Sequence, residues 1–390
     1  MRAAGIIAEF NPFHNGHEYL VSMARNSGAD VVAAVMSGNF VQRGGCAIAD
    51  KFTRAKAAVM SGVDIVFEMP QPFALGSAER FARAGISILD SCGCIDTLVF
   101  GSECGDITLL KSAADVDILD SVSLLMKHGL SYPKAVRQAL SDELGQENAE
   151  KISAPNDMLA IEYIKAIKYY NSNIEPVCIK RKGAEHDSDI SCGQFASASM
   201  IRDIMKKGGG DFSAYIPNNT IPLWNEAFDL GRCPADMTYN ERGVLAILRC
   251  MSADEIARLP DVSEGLEHRI YNAVRRSVSL DEVISHAVCG RYTAARVRRL
   301  ITCAYLGITS DTARSAASYI RVLAYNNNGI EILRTMKKTS RLPILMKARD
   351  LKNISCSLLD TDLRAGDLYA LCLQAAAKCG DDYYIGAVRV

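Results

Sequence analysis

The sequence predicts an α/β fold, with a parallel-sheet domain followed by a mostly α-helical C-terminal domain. Over residues 1–100, short apolar runs alternate with loops and helical patterns, as in a parallel sheet with crossover helices. Three glycines, Gly208-Gly209-Gly210, then mark a linker, and the later periodic segments are helical. At 390 residues the chain is long for one domain. We therefore expect a sheet domain at residues 1–215 and a helical domain at residues 216–390.

Each element of the sheet domain follows from an apolar run and the residues that end it. The first run, residues 3–8, stops at Glu9-Phe10-Asn11-Pro12, and a helical pattern begins near Asn15. By the same reasoning, strands are predicted at residues 30–36, 64–69, 97–100 and 176–180, and helices at 50–61, 77–90 and 158–170. Residues 106–150 are predicted to be an inserted group of helices. The result is a Rossmann-like sheet that binds ligands beyond the carboxyl ends of its strands.

The C-terminal domain is predicted from helical periodicity alone. The segments concerned are residues 240–250, 253–259, 265–278, 280–287, 292–305, 311–326, 345–350 and 365–378. No strand is expected among them, and no internal repeat stands out.

Composition limits the classes of protein to which the chain can belong. The net charge is −1, so a nucleic-acid surface would have to be a local patch. No basic and then apolar leader is present and no apolar run is long enough to span a membrane, so we expect a cytoplasmic protein without a membrane partner. The 13 cysteines are dispersed, which argues against a disulfide framework. Cys92, Cys94 and Cys104 have poor spacing for zinc, and no metal site is expected.

The loop after the first strand contains His14-Asn15-Gly16-His17. Asn15 is expected to cap the following helix, with Glu18 as its capping-box partner. The free N–H groups of such a helix start favour phosphate, Gly16 allows close approach to the backbone, and both imidazoles can donate to phosphoryl oxygens. The pattern predicts a phosphate-binding turn with His14 and His17 as the catalytic residues. The alternative is a pair of polar histidines in an ordinary surface turn.

Further loops are expected at the same edge of the sheet. They are residues 37–44, residues 101–103 and the cations Arg181 and Lys182 after the strand at 176–180. Asn156 lies at the start of a long helix, where it is either a cap or a ligand contact.

The segment QFASASMIR places Ser197, Ser199 and Arg202 on another helix start. Hydroxyl and N–H groups there could bind a triphosphate, and Arg202 could neutralise the leaving pyrophosphate. The alternative is a serine-capped helix with an exposed arginine.

Residues 291–350 contain many cations and only three acidic residues, Asp311, Glu331 and Asp350. The cations are Arg291, Arg296, Arg298, Arg299, Arg314, Arg321, Arg334, Lys337, Lys338, Arg341, Lys347 and Arg349. Tyrosines interleaved with them can stack on unpaired bases. This excess in a nearly neutral chain indicates an RNA partner, with Arg291, Arg296, Arg298, Arg299, Lys337 and Lys338 as the proposed phosphate contacts. The alternative is a solvated charged face.

With these motifs in hand, the chain resembles two nested groups of enzymes. H-x-G-H after a first strand is similar to the signature of the nucleotidyltransferase superfamily, which includes the class I aminoacyl-tRNA synthetases, and FASASMIR is similar to that superfamily's second signature. Nearly the whole chain resembles the bacterial tRNA(Met) cytidine acetate ligase family. The segments that support this are GIIAEFNPFHNGHEYL, VVAAVMSGNFVQRG, DKFTRAKAAVMSGVDIVFEMP, PFALGSAERFARAGI, LVFGSE and APNDMLAIEYIKAI.

The resemblance implies an enzyme that activates acetate with ATP and acetylates the exocyclic amine of the wobble cytidine in elongator tRNA(Met). Magnesium is expected with the triphosphate, and no protein partner is evident. The implied ATP contacts are Ile7, Ala8, Glu9, Phe10, Asn11, Pro12, Phe13, His14, Asn15, Gly16, His17, Glu18, Tyr19, Leu20, Gly101, Asn156 and Arg181. Roles for Lys182 and His186 stay open, as does the acetate pocket, although Ser37, Asn39 and Gln42 lie at the right edge.

Two other functions remain open from the sequence. One is an adenylyltransferase for a small phosphorylated metabolite, which would use the same loop but would not need the long C-terminal region. The other is a nucleotide-sensing RNA-binding protein without catalysis. The presence of both histidines and of Gly16 argues against the second.

Overall fold

The computed structural model describes residues 1–182, 193–208, 211–263 and 265–390. A single large sheet lies at its centre, and a short hairpin accompanies it. The strands are β1 (Ala3–Ala8), β2 (Val31–Ser37), β3 (Phe40–Val41), β4 (Gly45–Cys46), β5 (Ile65–Met69), β6 (Thr97–Ser102), β7 (Glu175–Lys180), β8 (Ile320–Tyr325), β9 (Ile344–Leu345) and β10 (Val388–Arg389).

The order of the strands in the sheet is β10-β8-β5-β2-β1-β6-β7, with β9 paired to β8. Strand β1 pairs in parallel with β2 on one side and β6 on the other, and β2–β5 and β6–β7 are also parallel. The chain therefore adds β2 and β5 on one side of β1 and then returns to add β6 and β7 on the other side. Strand β8 later joins the first side, antiparallel to β5. The crevice beyond the carboxyl ends of β1 and β6 is a topological switch point, the usual ligand position in such sheets.

Helices cover both faces of the sheet and form a separate group in the C-terminal region. They are α1 (Asn15–Asn26), α2 (Lys51–Met60), α3 (Gln71–Ala74), α4 (Ala78–Cys92), α5 (Ile107–Asp115), α6 (Leu119–Lys127), α7 (Tyr132–Leu144), α8 (Gln146–Lys151), α9 (Pro155–Tyr169), α10 (Ala198–Lys206), α11 (Ile221–Asp229), α12 (Glu241–Cys250), α13 (Ala253–Ala257), α14 (Leu266–Arg276), α15 (Leu280–Ala287), α16 (Ala294–Leu306), α17 (Ser310–Arg314), α18 (Asn327–Thr339), α19 (Ser357–Tyr369) and α20 (Asp381–Tyr384). In the described part of the chain, no helix combines the length and the apolar character that crossing a membrane requires.

Three apolar cores hold these layers together. Two lie on opposite faces of the sheet, and the third lies among helices α12–α16 and part of α19. Close packing between β1 and α4 depends on Gly85, because a Cβ there would lie 2.5 Å from Cδ1 of Ile7. The loop that follows β1, residues 10–17, thus extends from a strand that is packed on both faces.

The α/β prediction is confirmed, and the sheet elements before residue 110 lie within a few residues of their predicted bounds. The helix predicted at residues 311–326 is wrong, because only Ser310–Arg314 is helical and Ile320–Tyr325 forms β8. Strand β8 is buried on both faces, and periodicity alone cannot distinguish such a short apolar run from a buried helix. The helix predicted at 365–378 ends at Tyr369, and 345–350 is not an α-helix. The domain boundary stays a prediction, although strands from both sides of it share the sheet.

Candidate active site

The histidine turn, residues 10–17, connects β1 to α1 at the switch point. His14, not Asn15, is the N-cap of α1, and its Nδ1 accepts a hydrogen bond from the backbone N–H of Gly16 at 3.1 Å. Nδ1 of His17 accepts from the backbone N–H of His14 at 3.2 Å. The two imidazoles thus form the capping box, and the prediction of Asn15 with Glu18 is wrong. Gly16 is needed beside this cap, since a Cβ would lie 2.9 Å from Cε1 of His14.

These contacts fix the protonation of both rings. A ring nitrogen that accepts a backbone N–H carries no proton, so each neutral imidazole holds its proton on Nε2. Burial, with Arg181 and Arg202 nearby, lowers the pKa of His14 from 6.5 to about 3. Burial and His14 lower the pKa of His17 well below its usual value. The rings stack with centroids 3.7 Å apart, so two neutral Nε2–H donors lie side by side.

Aromatic packing supports the turn from beneath. Phe10 and Phe13 are fully buried, and their ring centroids lie 4.9 and 5.4 Å from that of His17. Phe10 has φ of +44°, a left-handed conformation that is unfavourable for a bulky residue and is found most often at functional sites. The turn is therefore held rigidly at the rim of the sheet.

A second wall is formed where β6 and β7 end. Gly101 lies against Arg181, whose Cγ would be 3.2 Å from a Cβ at that position. Nε of Arg181 lies 3.4 Å from Oε1 of Glu103, and the same oxygen accepts from Nδ2 of Asn156 at 2.6 Å. The N-cap of α9 is Ala154, so Asn156 is not the cap. The structure thus brings Gly101, Asn156 and Arg181 together at this edge of the sheet.

Two buried residues of this site were missed by sequence reasoning. Asp157 accepts hydrogen bonds from the Ser102 hydroxyl and, at 3.2 Å, from the backbone N–H of Cys104, which fixes the loop after β6. Arg54, fully buried on α2, donates to the backbone carbonyls of Glu9 at 2.6 Å, Ser37 at 3.0 Å, Ala49 at 2.9 Å and Gly38. An arginine on the apolar face of a helix was the signal for this contact.

Helix α10 joins the histidine turn from the other side. Ser197 is its N-cap and accepts from the backbone N–H of Met200 at 3.2 Å, and its hydroxyl lies 2.9 Å from that of Ser199. Nη1 of Arg202 donates to the Asn11 carbonyl at 2.8 Å. Nδ2 of Asn15 donates to the carbonyls of Gln194 and Ala214 at 2.9 and 3.0 Å. The start of α10 is thus tied directly to the start of α1.

The predicted RNA contacts do not form one surface. Arg291 and Arg298 are exposed on or beside α16, whereas Arg296 donates to the Asp261 carbonyl and to Ser263, and burial lowers the pKa of Arg299. The β3–β4 hairpin, which follows the carboxyl end of β2, packs closely on α16. A Cβ at Gly44 would lie only 2.3 Å from the backbone nitrogen of Arg299.

Lys337 and Lys338 lie at the opposite end of the sheet. They are in the last turn of α18, where Thr339 donates to the Cys92 carbonyl just before β6 begins. Lys182 lies beside the site, with Nζ 4.9 Å from the centroid of the Tyr19 ring. His186 is outside the described residues. Among those described, no group of three or more acidic, histidine or cysteine side chains could hold a metal ion.

Comparisons with known proteins identify the family to which the chain belongs. The family model described as HIGH Nucleotidyl Transferase matches residues 1–382. The chain is 36% identical over 396 aligned positions to the tRNA(Met) cytidine acetate ligase of Thermoanaerobacter sp. (strain X514), covering 98% of both chains. Two crystal structures of Thermotoga maritima TmcAL, 31% identical, cover all of this chain and superpose with TM-scores of 0.93 for the apo form and 0.91 for the form bound to alpha-thio ATP. The chain therefore belongs to the HIGH nucleotidyl transferases and, within them, to the tRNA(Met) cytidine acetate ligase family.

Proposed function

We propose that this enzyme forms acetyl-adenylate from acetate and ATP and transfers the acetyl group to N4 of the wobble cytidine of elongator tRNA(Met) in the cytoplasm. The observation that supports this best is the pair of neutral imidazoles whose Nε2–H groups are fixed at the start of α1. Named relatives act on tRNA(Met), and the Thermotoga maritima neighbour binds an ATP analogue.

In the first step, a carboxylate oxygen of acetate attacks the α-phosphorus of ATP, and the bond to pyrophosphate breaks. Negative charge builds on the phosphoryl oxygens, where His14 and His17 can donate without carrying charge of their own. Each fixed donor of this kind is worth about 2.7–4 kcal/mol at an oxyanion. Arg202 and Arg181, which lie close enough to affect the pKa of His14, oppose the charge of the triphosphate.

The remaining ATP contacts follow from the walls of the crevice. We assign Ile7–Leu20, Gly101, Asn156 and Arg181 to the nucleotide, with Ser197 and Ser199 at the phosphates. Glu103 has a second, buried oxygen without a hydrogen-bond partner in the described structure, and this oxygen could accept a nucleotide hydroxyl or amine. Magnesium would enter with the triphosphate, whose oxygens would be ligands at a site where the described residues offer no group of three or more acidic, histidine or cysteine side chains.

In the second step, the amine N4 of cytidine attacks the acetyl carbon, AMP leaves with the electrons of the broken C–O bond, and N4 releases one proton. The cytidine must be splayed out of its loop to reach the adenylate. Arg298, on α16, and Arg291, just before that helix, are suited to the tRNA backbone because both are exposed next to the β3–β4 hairpin on which α16 packs.

Acetate-dependent exchange of pyrophosphate into ATP tests the first step, and mass analysis of nucleosides from tRNA incubated with the enzyme tests the second. We expect exchange that requires acetate and N4-acetylcytidine that appears only in elongator tRNA(Met). Exchange that instead required a phosphorylated metabolite would identify an adenylyltransferase and overturn the proposal.

A further inference from the structure

A buried ionic cluster connects the C-terminal region to the active-site edge of the sheet. We call Lys51, Glu68, Arg321, Asp362 and Asp382 the C-terminal network, since its last three members lie beyond residue 320. Each has at most 5% of its surface exposed. Nζ of Lys51 lies 2.8 Å from Glu68 and 2.7 Å from Asp382, and Arg321 lies 2.8 Å from Asp382 and 3.4 Å from Glu68.

The network lies against the loop that follows β2. A Cβ at Gly38 would lie 2.1 Å from Nε2 of Gln71 and 2.7 Å from Oε1 of Glu68, so the loop backbone rests directly on these side chains. Oε1 of Gln71 accepts from the backbone N–H of Phe40 at 3.2 Å, and the backbone N–H of Gln71 donates to Asp362 at 2.7 Å. Two hydrogen bonds therefore lead from α19 to the loop.

A second route passes through Asp382. This carboxylate pairs with Lys51, the first residue of α2, whose backbone N–H donates to Oδ1 of Asn39 at 2.8 Å. Burial and the nearby Glu68 raise the pKa of Asp362 to about 7, whereas Lys51 and Arg321 favour the charged form of Asp382. The C-terminal segment, residues 357–390, thus supplies one carboxylate to each route.

The loop is in turn fixed to the histidine turn. Arg54 bonds the carbonyls of Ser37 and Gly38 together with that of Glu9, so one guanidinium joins the loops after β1 and β2. Oε1 of Glu9 accepts from the backbone N–H of Gln42 at 2.9 Å. A shift of residues 37–40 would therefore move the backbone that precedes His14.

We propose that Asp362 and Asp382 are positioning residues for the activation of acetate. The C-terminal segment is then needed for the adenylation step itself, before any tRNA binds. The inference rests on the proposed function, since it concerns that reaction's first step. These residues act through Gln71, Lys51 and the loop at residues 37–40, and are not themselves in contact with ATP.

The test compares variants of the full chain. Asp362→Leu removes the acceptor for the Gln71 N–H, whereas Asp362→Asn keeps an amide oxygen there. A displacement of about 1 Å can cost about 10²-fold, so we expect Asp362→Leu to lower kcat of acetate-dependent pyrophosphate exchange at least about tenfold, with KM for ATP and tRNA affinity unchanged. Asp362→Asn should retain most of the activity. Asp367→Asn is the matched control, because Asp367, on the same helix, accepts from the backbone N–H of Gly380, which is also within the C-terminal segment.

Amide hydrogen exchange gives a readout that does not depend on the reaction. In Asp362→Leu, the Phe40 amide should exchange faster, while amides in the middle of β6 keep their protection. Unchanged exchange at Phe40 would overturn the inference, and so would parallel loss of tRNA binding and adenylation. If Asp362→Leu does not fold, Gln71→Met removes the acceptor for Phe40 N–H and should give the same two effects. Wild-type enzyme without acetate-dependent activity would contradict the proposed function alone.

Discussion

His14 and His17 each use one ring nitrogen to build the turn and keep the other for a ligand. A helix start usually obtains its cap from Ser, Thr, Asp or Asn, and for that reason the sequence favoured Asn15. The position of the two histidines at the start of α1 was predictable. Their use as a capping box was not, because it depends on a ring stack that exists only in the folded turn. Neutrality of the rings follows from the same contacts.

Replacement of His17 tests its role at the phosphates. His17→Ala removes one Nε2–H donor, and loss of an oxyanion donor costs about 10²–10³-fold in kcat. We expect acetyl-adenylate formation to fall by at least that factor, while tRNA affinity stays unchanged because the exposed arginines lie elsewhere. Equal loss of adenylation and tRNA binding would contradict this separation.

Acid stability tests the lowered pKa of His14. The folded state keeps this ring neutral down to pH about 3, whereas the unfolded chain protonates it near 6.5, so the unfolded state binds more protons between these values. The free energy of unfolding should therefore decrease as pH falls from 6.5 towards 3. His14→Asn keeps a capping oxygen but lacks the titrating ring.

Urea unfolding of both proteins at pH 7 and pH 5 measures this difference. Wild type should lose more stability than His14→Asn over the interval, and contributions from groups remote from His14, such as Asp362, cancel in the comparison. Equal losses would mean that His14 titrates normally in the folded protein.

At the scale of elements, the sheet domain was predictable because its signals are local. Asp50 and Ser77 each cap the helix that follows, and each apolar run ends at a turn residue. Strand β8 was not predictable, since its neighbour β5 lies some 250 residues earlier and only that pairing selects strand over helix. Arg54 shows the same limit, because its partners are carbonyls from three separate loops.

Replacement of Arg54 tests how strongly those loops are held. Arg54→Met leaves four carbonyls without their donor, and an unsatisfied buried polar group costs about 1–3 kcal/mol. We expect the free energy of unfolding to fall by at least about 3 kcal/mol, with partial recovery in Arg54→Lys, since an ammonium cannot match the fork of the guanidinium. Lys56→Met, on the same helix, should change stability by no more than about 0.5 kcal/mol. Similar stabilities of the Arg54→Met and Lys56→Met proteins would exclude Arg54 as the link between the loops.

Across the whole molecule, the two ends of the sheet have different contents. The histidine turn, the start of α10 and the C-terminal network lie at the carboxyl end. Helix α16 also lies at this end, because it packs on the β3–β4 hairpin that follows β2. The amino end holds the last turn of α18. The sequence predicted the carboxyl end as the ligand edge, because parallel strands fix it. It did not separate Lys337 and Lys338 from Arg298, since charge runs along the chain contain no information about which end of the sheet they reach.

Because these cations lie at different ends of the sheet, their replacement should affect tRNA binding differently. Arg291→Ala with Arg298→Ala should weaken the affinity for tRNA and lower the slope of log K against log salt by about 0.7 for each lost phosphate contact with unpaired RNA. Lys337→Ala with Lys338→Ala removes the same charge from the amino end and should have a much smaller effect. Pyrophosphate exchange should be unchanged in both double variants, because neither pair touches the crevice between β1 and β6. A larger loss from the lysine pair would move the RNA surface to the amino end, and tRNA reaching the acetyl-adenylate would then have to wrap around the sheet.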